Sequence, residues 1–146
     1  APANTIDGRS YRAVLEGSKA PIHDAIFAEL GWARMVKTRK WKYIAVRYPA
    51  DVQAKISRGG TFHGGQGRRI DRPYYSGNSS LGFFAARHNP HYFETDQLYN
   101  LEADPKEERN VFAQHPEVVA DLRDRLALWL RTFPDRPYGE FTAARE

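Results

Sequence analysis

Residues 97–130, QLYNLEADPKEERNVFAQHPEVVADLRDRLALWL, constrain the fold more than any other stretch, because they specify a strand, a turn and an amphipathic helix in immediate succession. Leu98, Tyr99 and Leu101 form a strand-like run. Asp104-Pro105 ends it, since proline carries no N–H and keeps the residue before it away from helical angles. Beyond the turn, Val119, Leu122, Leu126, Trp129 and Phe133 recur at steps of three and four, which places them on one face of a helix. Pro116 sits where a first helical residue belongs, Glu117 follows it, and Arg131 is expected in the last turn, an order that complements the helix dipole. Such a stripe needs a surface to pack against.

The preceding sequence supplies one. Residues 23–30, HDAIFAEL, lie between Pro21 and Gly31 and read as a strand, although their pattern alone is ambiguous between strand and helix. Residues 33–38 and 41–48 are rich in aromatic and β-favouring types, and Thr38-Arg39-Lys40 connects them as an antiparallel hairpin. Alternation sets Lys42, Ile44 and Val46 on one face and Trp41, Tyr43 and Ala45 on the other. With apolar residues on both faces, the hairpin is expected to be covered twice, by the C-terminal helix and by the remainder of the protein. If that second cover lies outside this chain, isolated material should be sticky. Glu29 reads as facing solvent or paired with a neighbouring Arg, Arg34 being the candidate, rather than as a substrate contact. Residues 7–17 read as a short helix capped by Ser10 and stopped by Gly17, burying Val14 and Leu15. The expected fold is α+β, a small antiparallel sheet of about four strands with one long helix across it.

A chain of 146 residues is long enough for one domain with its own core. Its 13% aromatic and 27% charged residues argue for a folded protein rather than a disordered tail. It has no Cys, so it forms no disulfide and gives no redox evidence of compartment. No apolar run approaches the length of a membrane span. The opening residues have neither a basic start nor an apolar stretch, so no export signal is read there. The net charge of +4 suits an anionic partner without choosing among nucleic acid, acidic lipid and sulfated glycan.

Residues 49–95 are the least regular part, and a connection that long is usually functional or mobile. The glycine-rich residues 59–67 lack the GxxxxGK[ST] spacing of a phosphate loop and read as a flexible loop. His88 and His91 stand three apart, but Pro90 excludes a regular helix and no third ligand is near in sequence, too few for zinc. Arg58, Arg68, Arg69, Arg72 and Arg87 are interleaved with Phe62, Tyr74, Tyr75, Phe83 and Phe84. Guanidinium offers a planar fork for sulfate or carboxylate, and aromatic faces receive sugar C–H groups or bases. The same set would also serve as a solvated loop whose aromatics anchor it to the core.

The segment LYNLEADPKEERNVFAQHPEVVADLRDRL closely resembles the C-terminal segment of the sulfatase family, in which a strand of the type LYDLxxDPxExxNL leads into a helix opening HPEVxxxLxxxL. Asp7-Gly8-Arg9-Ser10 with Val14-Leu15 is similar to the family's DGxSLxPLL segment, and RMVKTRKWKYIAVRY at residues 34–48 is similar to its paired strands RxVRTxxxKYI. The three stand in the family's order. The resemblance implies residues 1–22 as a connection from a missing catalytic domain, residues 23–133 as the sulfatase C-terminal subdomain with an insertion at 49–95, and residues 134–146 as a tail over the surface. It further implies an N-terminal catalytic domain as partner, a sulfated carbohydrate as substrate, and a periplasmic or secreted location, with neither membrane nor nucleic acid as partner. Formylglycine and calcium would belong to that catalytic domain: the family's nucleophile arises from Cys or Ser in C/S-x-P-S-R, which these residues do not contain, and neither do they contain its aspartate-rich calcium segments. No catalytic and no metal-binding residue is therefore expected in this chain. Because the subdomain can form the rim of the family's substrate pocket, His63, Arg68, Arg69, Arg87 and His88 become candidate substrate contacts, by region only. Two alternatives stay open: a free-standing basic module for nucleic acid or sulfated polysaccharide, and part of a related phosphonate or phosphodiester hydrolase.

Overall fold

The computed structural model describes residues 8–51, 53–54 and 89–133, together with the backbone of 61–63 and 69–71. A one-turn helix α1 (Arg12–Leu15) precedes strands β1 (Ile26–Leu30), β2 (Ala33–Lys37), β3 (Trp41–Val46), β4 (Thr61–His63), β5 (Arg69–Asp71) and β6 (Asp96–Asn100), a 3-10 turn (Phe112–Gln114) and the helix α2 (Pro116–Leu130). Strands β1, β2, β3 and β6 pair antiparallel in that order as a four-stranded sheet. The architecture is the expected α+β layer of four antiparallel strands under one C-terminal helix of 15 residues.

Register explains which face the helix takes. Phe27, Val36, Tyr43 and Leu98 lie side by side across all four strands. Val36, Tyr43 and Leu98, with Ala45, form one core with Val119, Leu122, Leu126 and Leu130 of α2, and Phe27 packs against its edge. The fourth buried helix residue is thus Leu130, not Trp129. At 3.6 residues per turn positions 129 and 130 flank the axis of the stripe, and the smaller side chain takes the centre. Trp129 instead reaches the sheet edge, where its ring stacks on Phe27 at 5.1 Å between centroids, while Phe133 meets it edge-on at 5.0 Å. Pro116 begins α2 as expected, whereas Arg131 falls outside the last turn and caps the helix.

The next row on the helix face is polar at its ends. Glu29, Arg34, Ala45 and Asp96 are neighbours across the strands. Arg34 pairs with Glu29 at 3.5 Å, as the sequence led us to expect, and donates to the Gly31 carbonyl at 2.7 Å. Gly31 adopts φ +55 in the β1–β2 turn, a region open to glycine at little cost.

On the opposite face, Ala28, Met35, Ile44 and Gln97 form one row and Leu30, Ala33 and Val46 another. Ile26 is 58% exposed and Leu30 84%, so the β1 end of this face has no cover among the described residues. The expectation that residues 7–17 bury Val14 and Leu15 is not met: α1 spans a single turn, and the two side chains are 44% and 77% exposed. One turn is too short to sustain itself without packing. The N-cap position is Tyr11, which makes no side-chain cap bond, and the expected cap Ser10 stands one residue earlier, where its hydroxyl accepts the Arg12 N–H at 3.3 Å. Gly17 does stop the helix, at φ +95.

Within residues 49–95 the glycine-rich run is not wholly loop. Thr61–His63 and Arg69–Asp71 pair as a two-stranded antiparallel ribbon. The tail at 134–146 lies outside the described residues.

Truncating the helix stripe provides the check on this packing. Leu126→Ala, at a fully buried position, should cost about 2–5 kcal/mol in urea unfolding. Leu128→Ala, at a position 62% exposed, should stay within about 0.5 kcal/mol. Equal losses at the two sites would refute the assigned face.

Candidate functional site

Of the candidate substrate contacts, His63 and Arg69 stand opposite each other in the β4–β5 ribbon. Their side chains, and the whole of Arg68, Arg87 and His88, lie outside the described residues, as do Arg58, Arg72 and the aromatic set from Tyr74 to Phe84. The described polar cluster is found where this region returns to the sheet, at residues 89–96, against the turn of residues 101–110.

Asn110 is the centre of that cluster. Its side-chain oxygen accepts from the backbone N–H of Leu98 at 2.8 Å and of Phe112 at 3.1 Å. Its amide nitrogen donates to the Asp96 carbonyl at 3.0 Å and to the Glu94 carboxylate at 2.5 Å. One short side chain thereby ties β6 to the chain leaving the turn. The Val111 N–H extends the ladder to the Leu98 carbonyl at 2.9 Å.

The turn is built by its own acidic residues. Asp104, 9% exposed, accepts the Arg109 N–H at 2.9 Å. That bond, together with those from the N–H groups of Glu108 and Glu107 and the Arg109 charge, holds its carboxyl below the usual range despite the opposing effect of burial. Glu107 adopts φ +58, uncommon for a residue with a Cβ, and reaches Lys42 of β3 at 2.6 Å. Asp104, Pro105, Glu107 and Asn110 are the positions that carry the resemblance to DPxExxN, and each described contact here is structural.

His91 closes the cluster. Its Nδ1 lies 2.7 Å from Glu94 Oε1, and its Nε2 faces the Glu108 carbonyl at 3.2 Å and the Asn110 N–H at 3.3 Å. Burial by itself raises the Glu94 carboxyl, but hydrogen bonds from His91 and Asn110 outweigh it and lower it overall. Two hollows of about 540 Å³ flank Asn110: one is lined by His91, Asp104, Arg109 and His115, the other by Phe93, Glu94, Asp96 and Phe112. Sequence reasoning missed this cluster, having weighed His91 only as a metal ligand with His88. The available signal was Asn110 itself, an Asx residue six positions beyond a second one in a turn.

Among the described residues no group of three or more His, Cys, Asp or Glu is placed to hold a metal ion. No described helix is long and apolar enough to cross a membrane. The arrangement can position chain and offer polar walls; among the described residues it presents no nucleophile activated by a neighbouring base. No model of a known protein family matches the chain, and no curated protein matches it either.

Two outcomes follow from the cluster. Asn110→Ala strands the partly buried Leu98 N–H and should cost about 1–3 kcal/mol in urea unfolding, far more than a surface Asn would. Asp104 and Glu94 are both depressed in the folded chain, so the unfolded chain takes up their protons first as pH falls. The stability they supply is complete above the ordinary carboxylate range and is lost as pH drops through the lowered folded values. Asp104→Asn should therefore flatten the acid limb of the stability profile, measured as urea midpoint against pH; an unchanged limb would place the acid sensitivity elsewhere.

Proposed function

We propose that this chain is the C-terminal part of a sulfatase-type sulfuric ester hydrolase, where it packs on a catalytic domain and helps to shape the pocket for a sulfated carbohydrate. The reading rests on the strand, turn and helix motifs in the family's order, and one structural observation carries it further. Of the six large apolar side chains exposed among the described residues, Tyr11, Val14, Leu15, Ile26 and Leu30 all precede the hairpin. Single exposed apolar residues are ordinary, but five within twenty positions are a concentration that burial against another body would use. In the resemblance, residues 1–22 are the connection to the catalytic domain, and the exposed set lies on that side of the chain.

In such an enzyme formylglycine supplies the nucleophile and calcium the Lewis acid that neutralises the sulfate oxygens. The described residues of this chain do not fit a calcium site. What the chain would contribute is positioning: the region 49–95, carrying His63, Arg68, Arg69, Arg87 and His88, would present cationic donors at the pocket rim.

Intact mass and size analysis of the native material, with an arylsulfatase assay in the presence and absence of chelator, tests this reading. A larger chain, linked or associated, with chelator-sensitive activity is the expected result. A folded monomer that is inactive alone and binds anionic polymers with steep salt dependence would replace it with the basic-module reading. The surface itself is tested by Leu15→Asp combined with Leu30→Asp. Urea stability of the chain should change by no more than about 0.5 kcal/mol per site, while association with the catalytic body is lost. Retained association would exclude this surface.

A further inference from the structure

The imidazole of His91 faces two main-chain groups that no single protonation state can satisfy. The Asn110 N–H, 3.3 Å from Nε2, requires a lone pair there. The Glu108 carbonyl, 3.2 Å from the same nitrogen, requires a proton. Nδ1, at 2.7 Å from the Glu94 carboxylate, carries a proton in either case, because a lone pair there would oppose the negative oxygen.

We propose that His91 is a proton-operated latch that selects between these two partners on the turn of residues 104–110. Neutral, with its proton on Nδ1, the ring donates to Glu94 and accepts from the Asn110 N–H. Protonated, it donates from both nitrogens, to Glu94 and to the Glu108 carbonyl, and the Asn110 N–H is left against another N–H. The exchange acts on the residue whose side chain holds the Leu98 N–H and the Asp96 carbonyl, so the grip on β6 changes with it. The charged and titratable groups around the ring come from every neighbouring element. Glu94 shares its segment, and Asp104, Glu108 and Arg109 come from the turn. Tyr99 of β6 lies 6.4 Å away between ring centroids, and His115 lines the same hollow from the start of α2. The inference depends on this geometry and not on the sulfatase reading.

Nitrogen-15 spectra of the histidine rings and backbone amides of the 146-residue chain, recorded through a series of falling pH, test it. At the upper end the His91 ring should carry its proton on Nδ1. On acidification the Asn110 amide should shift with the same midpoint as the ring, and its hydrogen exchange, corrected for intrinsic pH dependence, should quicken about three- to tenfold for the loss of one hydrogen bond. In His91→Gln both responses should be flat. A neutral ring protonated on Nε2, or an Asn110 amide that ignores the ring titration, overturns the latch. Should His91→Gln fail to fold, the wild-type ring and amide titrations decide alone.

Discussion

The ring of Tyr43 is fully buried beneath α2, yet its hydroxyl ends on Asp96, so the apolar layer and the polar edge of the sheet are fastened to one side chain. Burial first, and then the bond to Asp96 and its charge, push the phenol well above its ordinary range, which keeps it a donor. Arg47 completes the set at 2.9 Å from the same Asp96 oxygen. Burial works against the guanidinium charge, and the carboxylate more than offsets it. A tyrosine in a core is stable only where its hydroxyl finds a partner, and here the partner sits on β6, the strand recruited from farthest along the chain. The pairing of β3 with β6 is thus specified twice, by the row under the helix and by this bond.

Most of the sheet was legible because its signals are local. The hairpin followed from β-favouring runs on either side of Thr38-Arg39-Lys40, the helix from a repeat of three and four, and β6 from a run ended by proline. What was not legible depended on partners distant in sequence. Choosing Leu130 over Trp129 for the centre of the stripe requires knowing that Phe27 waits at the sheet edge to stack on the indole. The β4–β5 ribbon, three residues a side next to glycines, has too little alternation to announce itself. Val14 and Leu15 looked like core because apolar residues of a helix usually are; nothing in one turn of sequence says whether a surface stands opposite.

The cluster at Asn110 shows what the resemblance to DPxExxN consists of in physical terms. Asp104 collects N–H groups from the turn, Glu107 bends through a left-handed conformation toward Lys42, and Asn110 staples β6. These are the requirements of a tight connection from strand to helix. They account for the spacing of Asp104, Pro105, Glu107 and Asn110 in this chain without reference to any reaction, and a spacing of that kind bears on architecture before it bears on chemistry. The chemical side of the functional reading therefore rests on the insertion and on the surface the fold leaves uncovered, not on the turn.

That surface is the stronger of the two arguments. A four-stranded sheet has two faces, and among the described residues one helix covers one of them. Toward β6 the second face closes on itself, because Tyr99 and Gln97 are buried and bonded to each other and Lys42 is paired with Glu107. Toward β1 it does not, and Ile26 and Leu30 stand out with Ala28 between them. An edge strand meant for solvent is generally protected by charge, proline or a bulge, whereas β1 carries isoleucine and leucine outward on its uncovered face and its one carboxylate, Glu29, on the helix side with Arg34. The preceding helix adds exposed Val14 and Leu15, with Tyr11 exposed at its N-cap, and buries none of its residues. Burial against a second body would use these residues, and that is the support they lend to the proposed contact with a catalytic domain.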